Sequence, residues 1–138
     1  MKIQLFDPIC LPRRAHPTDS GMDCVARMNV VLQPFQPKLV PLGFCLELDP
    51  GQEAQIRPRS GMAKNGLLVH FGTVDYEYRG EVQAIVTLIG SEHPVFFVER
   101  GMRIAQMVFA KVEFPEVHIV DSLAETERGS SGFGSTGQ

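Results

Sequence analysis

Gly72–Thr73–Val74–Asp75–Tyr76–Glu77–Tyr78–Arg79–Gly80 is the stretch around which the chain is organised. A β-branched pair, Thr73 and Val74, leads into an acid, two tyrosines and an arginine. Gly80 punctuates, and Val82–Ile89 reads as a strand. An apolar run, a polar bend, a glycine and a second apolar run is the grammar of a β-hairpin. The bend carries Asp75 between valine and tyrosine, where a carboxylate can serve as a general base. Acids at such bends are also common as solvated turn residues, so the bend alone does not decide between the two roles.

Outward from the hairpin, the chain reads as many short strands. Met1–Phe6 alternates, with Ile3 and Leu5 against Lys2 and Gln4. Cys24–Leu32 is a strand interrupted near Asn29, and Leu39–Leu48 is strongly β up to the turn Asp49–Pro50–Gly51. Ala54–Ile56 is a short strand running into Pro58. Met62–Leu68 is the one helical candidate, ended by Asn65–Gly66. Val95–Val98, Arg103–Val112 and Val117–Val120 complete the strands. From Glu125 the apolar pattern stops, and Gly129–Gln138 reads as a flexible tail of Gly, Ser and Thr around Phe133. The expectation is an all-β domain with one short helix, without repeats.

Composition sets limits. At 138 residues and 43% hydrophobic content, the chain is sized for one domain with a proper core. Trp is absent and the net charge is −3, which argues against a general nucleic-acid surface. Cys10, Cys24 and Cys45 are odd in number and widely spaced, which favours reduced thiols over a disulfide framework or zinc site. No run approaches membrane-spanning length and no signal-peptide pattern opens the chain. A soluble cytoplasmic protein is expected.

Other stretches combine turn chemistry with phosphate-binding residue types. Asp19–Ser20–Gly21–Met22–Asp23 is a turn that ends on an acid. Pro58–Arg59–Ser60–Gly61 precedes the helix candidate, where free N–H groups and the dipole suit an anion, although Ser60 also reads as an ordinary N-cap. Arg100–Gly101–Met102–Arg103–Ile104–Ala105–Gln106 sets Arg103 and Gln106 at the start of a strand. Arg128–Gly129–Ser130–Ser131–Gly132–Phe133–Gly134–Ser135–Thr136–Gly137 has the composition of a linker, yet its amides can wrap a phosphate and Phe133 can stack on a ring. Walker A, H-E-x-x-H and G-x-S-x-G patterns are absent.

In order and spacing, these stretches and the hairpin resemble the five motifs of the trimeric dUTPases, from Asp19 to Gly137. The resemblance implies a jelly-roll-like β-barrel or sandwich over residues 1–127, with residues 128–138 an arm that closes over the active site. It implies a homotrimer with shared active sites and hydrolysis of dUTP to dUMP and pyrophosphate. That reaction keeps uracil out of DNA and supplies dUMP for thymidylate synthesis. Mg²⁺ is implied as cofactor, held through substrate phosphates and water rather than by protein ligands. By position, Asp75 activates the water and Tyr78 packs under the deoxyribose. Thr73, Val74 and Gln83 read the uracil edge, and Arg59, Ser60, Gly61 and Gln106 hold phosphates. Arg128, Gly134, Ser135 and Thr136 close over the triphosphate, with Phe133 stacked on uracil. Asp23 and Arg103 support the site.

The chain departs from the family pattern in places. Glu77 stands where aspartate is usual, Leu88 where asparagine is usual, and His70–Phe71 replaces smaller residues in a slightly shortened approach to the hairpin. These changes bear on the uracil pocket. The alternatives are a dCTP deaminase or bifunctional deaminase–dUTPase of the same fold, and a non-catalytic nucleotide-binding regulator. Tyr78 and the Phe133 tail favour the plain hydrolase over the first, and Asp75 over the second.

Overall fold

A computed structural model describes residues 1–90 and 94–130. The strands are β1 (Lys2–Leu5), β2 (Met22–Val25), β3 (Val30–Leu32), β4 (Lys38–Pro41), β5 (Phe44–Glu47) and β6 (Gln52–Pro58). After helix α1 (Ser60–Lys64) come β7 (Leu67–Val69), β8 (Gly72–Val74), β9 (Gln83–Leu88), β10 (Phe96–Val98) and β11 (Arg103–Lys111). Among the described residues these strands form four antiparallel sheets, in the orders β1–β5, β10–β3, β2–β11–β6–β8 and β4–β9–β7. The fold is mostly β, and among the described residues no sheet closes into a barrel.

Alternation explains which side chains meet. On β9, Ala84, Val86 and Leu88 turn inward while Gln83 and Ile85 face out. On β6, Ala54 and Ile56 are buried between half-exposed Gln55 and Arg57. Inward residues of all four sheets merge into one cluster that includes Phe44, Leu32, Ile56, Leu67, Val86, Val98 and Met107.

Several elements differ from the sequence expectation. The run Leu39–Leu48 breaks into β4 and β5 at Gly43, whose φ is 78° and whose missing Cβ leaves room for the Cys10 side chain. The interruption near Asn29 separates β2 from β3 fully. The helix begins at Ser60 and ends at Lys64, because Leu67 and Val69 are drawn into β7 against β9. Pro8–Cys10 forms a 3₁₀ turn that periodicity does not reveal, capped by the Asp7 side chain on the Ile9 N–H. Val117–Val120 is not a strand; Val117 and Ile119 are 85% and 98% exposed, with no partner strand among the described residues.

The largest correction concerns the hairpin. Its two flanks lie in different sheets: β8 pairs with β6, and β9 with β4 and β7. The backbone of Val82 explains this, since it accepts from the Leu42 N–H (3.0 Å) and donates to the Phe44 carbonyl (2.9 Å). The entry to β9 is therefore fastened to the β4–β5 corner, and residues 75–81 cross between sheets.

Candidate functional site

The first of two clefts forms where β2, β11 and the end of β6 meet. Register places Gln106 opposite Asp23 on one side and Arg57 on the other, with Ala105 opposite Pro58. Chain direction then carries Arg59, Ser60 and Gly61 over the same edge. Arg59 donates to both oxygens of Asp23, from Nε at 2.6 Å and Nη2 at 3.3 Å, and from Nη1 to the Arg103 carbonyl at 3.0 Å. Arg103 reaches the same carboxylate at 3.3 Å. One acid thus sits between two guanidinium groups, and Gln106 is fixed by its Nε2 donating to the Pro58 carbonyl at 2.8 Å.

The resulting cleft measures about 640 Å³ and is lined by Asp23, Arg59, Ser60, Gly61 and Gln106, with the loop around His16 and Asp19 at its rim. Ser60 does not act as the helix cap; the capping position falls on Arg59, without a side-chain cap bond. At Gly61 an added Cβ would meet nothing within 4 Å, so packing within the chain does not demand glycine there.

The second cleft, about 350 Å³, lies along the crossing segment. It gathers Thr73, Val74, Asp75, Tyr78 and Gln83, all singled out in the sequence, onto one surface. Asp75 is exposed, and its carbonyl accepts from the Tyr78 N–H at 3.1 Å, closing the bend. Tyr78 donates from its hydroxyl to the Glu81 carbonyl at 3.2 Å. The ring lies so close over Gly80 that any side chain there would collide with it. Arg79 closes the turn by donating to the carbonyls of Tyr76 and Tyr78 at 2.6 and 3.1 Å. Glu81 anchors the segment, with Arg27 Nε 2.9 Å from its carboxylate and the Gly43 N–H donating at 3.0 Å.

The departures from the family pattern separate cleanly. Leu88 is core, 1% exposed, and pairs with Leu67; it does not line the cleft. Glu77 accepts from the Tyr76 hydroxyl at 3.0 Å, which pushes the Tyr76 pKa up, and it too lies off the cleft. His70 does line it, as do Leu39, Ile56, Glu81 and Ile85. Sequence reasoning missed these last four as wall residues, because strand pairing places Leu39, Ile56 and Ile85, and Arg27 with the Gly43 N–H holds Glu81. The Leu39↔Ile85 register across β4 and β9 is one such pairing.

The two clefts share no lining residue. The phosphate-type residues and the hairpin residues line separate clefts of one chain. Arg128 is exposed, while Phe133, Gly134, Ser135 and Thr136 lie outside the described residues. The three thiols are free and buried, and burial pushes Cys24 up to about 12, so none is poised as a nucleophile. Among the described residues no three His, Cys, Asp or Glu side chains cluster as a metal site. No helix there is long and apolar enough to cross a membrane.

Comparison with known proteins bears on the family and the fold. The dUTPase family model matches residues 7–137. A deoxyuridine 5'-triphosphate nucleotidohydrolase of Gloeothece citriformis is 49% identical over 92% of this chain and 88% of its own length. One from Clostridium novyi is 46% identical, over 92% and 90%. Among solved structures, the dUTPase of Staphylococcus bacteriophage 80alpha with dUpNHpp superposes with a TM-score of 0.90 at 24% identity, covering 99% of this chain and 98% of that one. The dUTPase of phage phi11 of S. aureus superposes at 0.80 and 19% identity, over 88% and 96%; its structure is described as revealing the coordination of a structural Mg(II) ion. The fold is that of these jelly-roll proteins, and the chain belongs to the dUTPase family.

Proposed function

We propose that this chain is a dUTP diphosphatase, cleaving dUTP to dUMP and pyrophosphate in a site assembled between the subunits of a homotrimer. The observation that carries this reading is the pair of complementary clefts. One offers cations, amides and a glutamine suited to phosphates; the other offers Asp75 beside a tyrosine and a backbone edge suited to a nucleoside. Neither is complete alone, and joining them across an interface supplies nucleophile activation and charge stabilisation together. Relatives of nearly half identity with the corresponding activity support the assignment.

In this mechanism Asp75 takes the proton from the attacking water. Tyr78 packs under the deoxyribose, and the backbone at Thr73 and Val74 with Gln83 reads the uracil edge. Ser60, Gly61 and Gln106 hold phosphate oxygens. Arg59 contributes charge from a position fixed by Asp23, which Arg103 also contacts. Residues 1–127 form the domain, and residues 128–138 form an arm that brings Arg128, Phe133, Gly134, Ser135 and Thr136 over bound nucleotide.

The donor set fits Mg²⁺ that arrives on the triphosphate, since Asp75 stands in the hairpin cleft without a second carboxylate lining the cleft to complete a cage, apart from Glu81, which is engaged by Arg27. When bound, the ion neutralises charge on the phosphate oxygens. A trimer is supported by the outward apolar residues Phe114, Val117, Ile119 and Leu123 in the exposed C-terminal segment. Three reduced, buried thiols suit the cytoplasm.

Pyrophosphate release measured across dUTP, dCTP, dTTP and UTP tests the reading. Selective release from dUTP is expected. Ammonia release from dCTP, or no turnover of dUTP, would replace it with the deaminase or the non-catalytic alternative.

A further inference from the structure

Among the described residues one polar side chain is buried, Thr87, 7% exposed, on the face of β9 that carries Gln83 and Ile85. Valine would fill nearly the same volume without desolvating a hydroxyl, so a threonine here is costly unless its hydroxyl has a partner. That partner is His70, whose Nε2 lies 2.9 Å from Thr87 Oγ1. The His70 backbone is fastened as well, its N–H donating to the Ile85 carbonyl at 2.9 Å. His70 lines the hairpin cleft with Thr73, Asp75, Tyr78 and Gln83. Two other polar groups of that cleft are already engaged: the Tyr78 hydroxyl by the Glu81 carbonyl, and the Glu81 carboxylate by Arg27 and the Gly43 N–H. His70 Nδ1 makes no hydrogen bond among the described residues.

We infer that His70 contacts the pyrimidine and helps select it, with Thr87 as the positioning residue that orients the ring. This rests on reading the hairpin cleft as the nucleoside pocket of dUTP. Of the two tautomers that the 2.9 Å contact allows, base selection uses the one in which the Thr87 hydroxyl donates to Nε2 and the ring proton sits on Nδ1. Nδ1–H then donates to the O4 carbonyl of uracil. Cytosine turns its amino N–H to the same place, so two donors face each other and neither is satisfied. A buried hydroxyl on the face of β9 that carries Gln83 and Ile85 thereby acts on base choice.

The test compares kcat/KM for dUTP and dCTP, with melting temperature, in the full-length protein and three variants. His70→Leu is expected to lower kcat/KM for dUTP about tenfold and to narrow the dUTP:dCTP ratio. His70→Asn, whose amide nitrogen stands near the place of Nδ1, should restore most of that ratio. Thr87→Val should melt no lower than the parent yet narrow the ratio in the direction of His70→Leu. An unchanged ratio in His70→Leu, or a Thr87→Val protein that loses stability and keeps full discrimination, would make the pair a structural hydrogen bond and overturn the inference. A parent protein that does not hydrolyse dUTP fails earlier, at the proposed activity itself, and the inference falls with it.

Discussion

Arg59 and Asp23, 36 positions apart in sequence, meet in a two-point ion pair with Nε 2.6 Å from Oδ1 and Nη2 3.3 Å from Oδ2. Both side chains are about three-quarters buried, and Arg103 adds a third contact to the same carboxylate. Asp23→Asn removes the charge that holds both guanidinium groups while keeping the size. Misplacement of a positioned group by about 1 Å costs on the order of 10²-fold in rate. We expect a fall of that order in kcat/KM for dUTP, with a moderate fall in melting temperature because the pair is largely but not fully buried. Steady-state kinetics with differential scanning fluorimetry would check both. A large stability loss with normal kinetics would assign Asp23 to the fold instead.

Asp75 offers the simplest chemical test. Asp75→Asn keeps the shape of the bend, since the turn bond uses the Asp75 carbonyl and not its side chain. Loss of a general base costs about 10²–10⁴-fold. The variant should bind a non-hydrolysable dUTP analogue with nearly parental affinity, measured by calorimetry, while turnover falls within that range.

Tyr78 and Gly80 form a steric unit, because a Cβ on Gly80 would overlap the tyrosine ring. Gly80→Ala should therefore displace the ring and resemble Tyr78→Ala in kinetics. Both variants are expected to raise the UTP:dUTP ratio of kcat/KM, as the surface that excludes a 2′-hydroxyl is lost. A Gly80→Ala protein with parental sugar discrimination would mean that the ring does not do this work.

Much of the fold is legible in the sequence where side-chain alternation is strong. The alternating residues of β1 and the run Gln83–Leu88 identify strands within a residue or so of their ends. What alternation does not carry is partnership. Nothing local to Gly72–Val74 or Val82 states that the two flanks of the bend pair in different sheets, because long-range bonds to β6 and to the β4–β5 corner decide it. The candidate site divides the same way. Asp75, Tyr78, Arg59 and Gln106 stand in motifs that can be read directly. The Asp23–Arg59 pairing, the wall formed by Leu39 and Ile85, and the Thr87 hydroxyl behind His70 come from register, which only the assembled sheets reveal.

A pH effect on stability follows from Asp7 and Arg100. Arg100 Nη2 lies 2.6 Å from Asp7 Oδ2, and that bond, followed by the Ile9 N–H, lowers the Asp7 pKa from its ordinary 3.8. A carboxyl lowered in the folded state stabilises it above the ordinary pKa and loses that contribution as pH falls through the lowered value. Asp7→Asn should therefore melt below the parent at neutral pH. The gap should close as pH falls below about 4, where the aspartate protonates in the unfolded and then the folded chain. Melting curves from pH 7 down to the acid limit of folding would check this, and a gap independent of pH would point to packing rather than charge.

The central claim is that the two clefts of one chain serve different active sites, and subunit mixing tests it most directly. Asp75→Asn damages the hairpin cleft and Asp23→Asn the phosphate cleft, on surfaces that share no lining residue. The two variants would be refolded together from denaturant, mixed trimers verified by native mass spectrometry, and pyrophosphate release from dUTP measured. If each site joins the hairpin of one subunit to the phosphate cleft of its neighbour, random mixing leaves about a quarter of the sites with both halves intact. Activity should then rise well above either variant alone, toward about that fraction of the parent. Mixed trimers no more active than the separate variants would show that both clefts serve one site within a single chain, and would contradict the account.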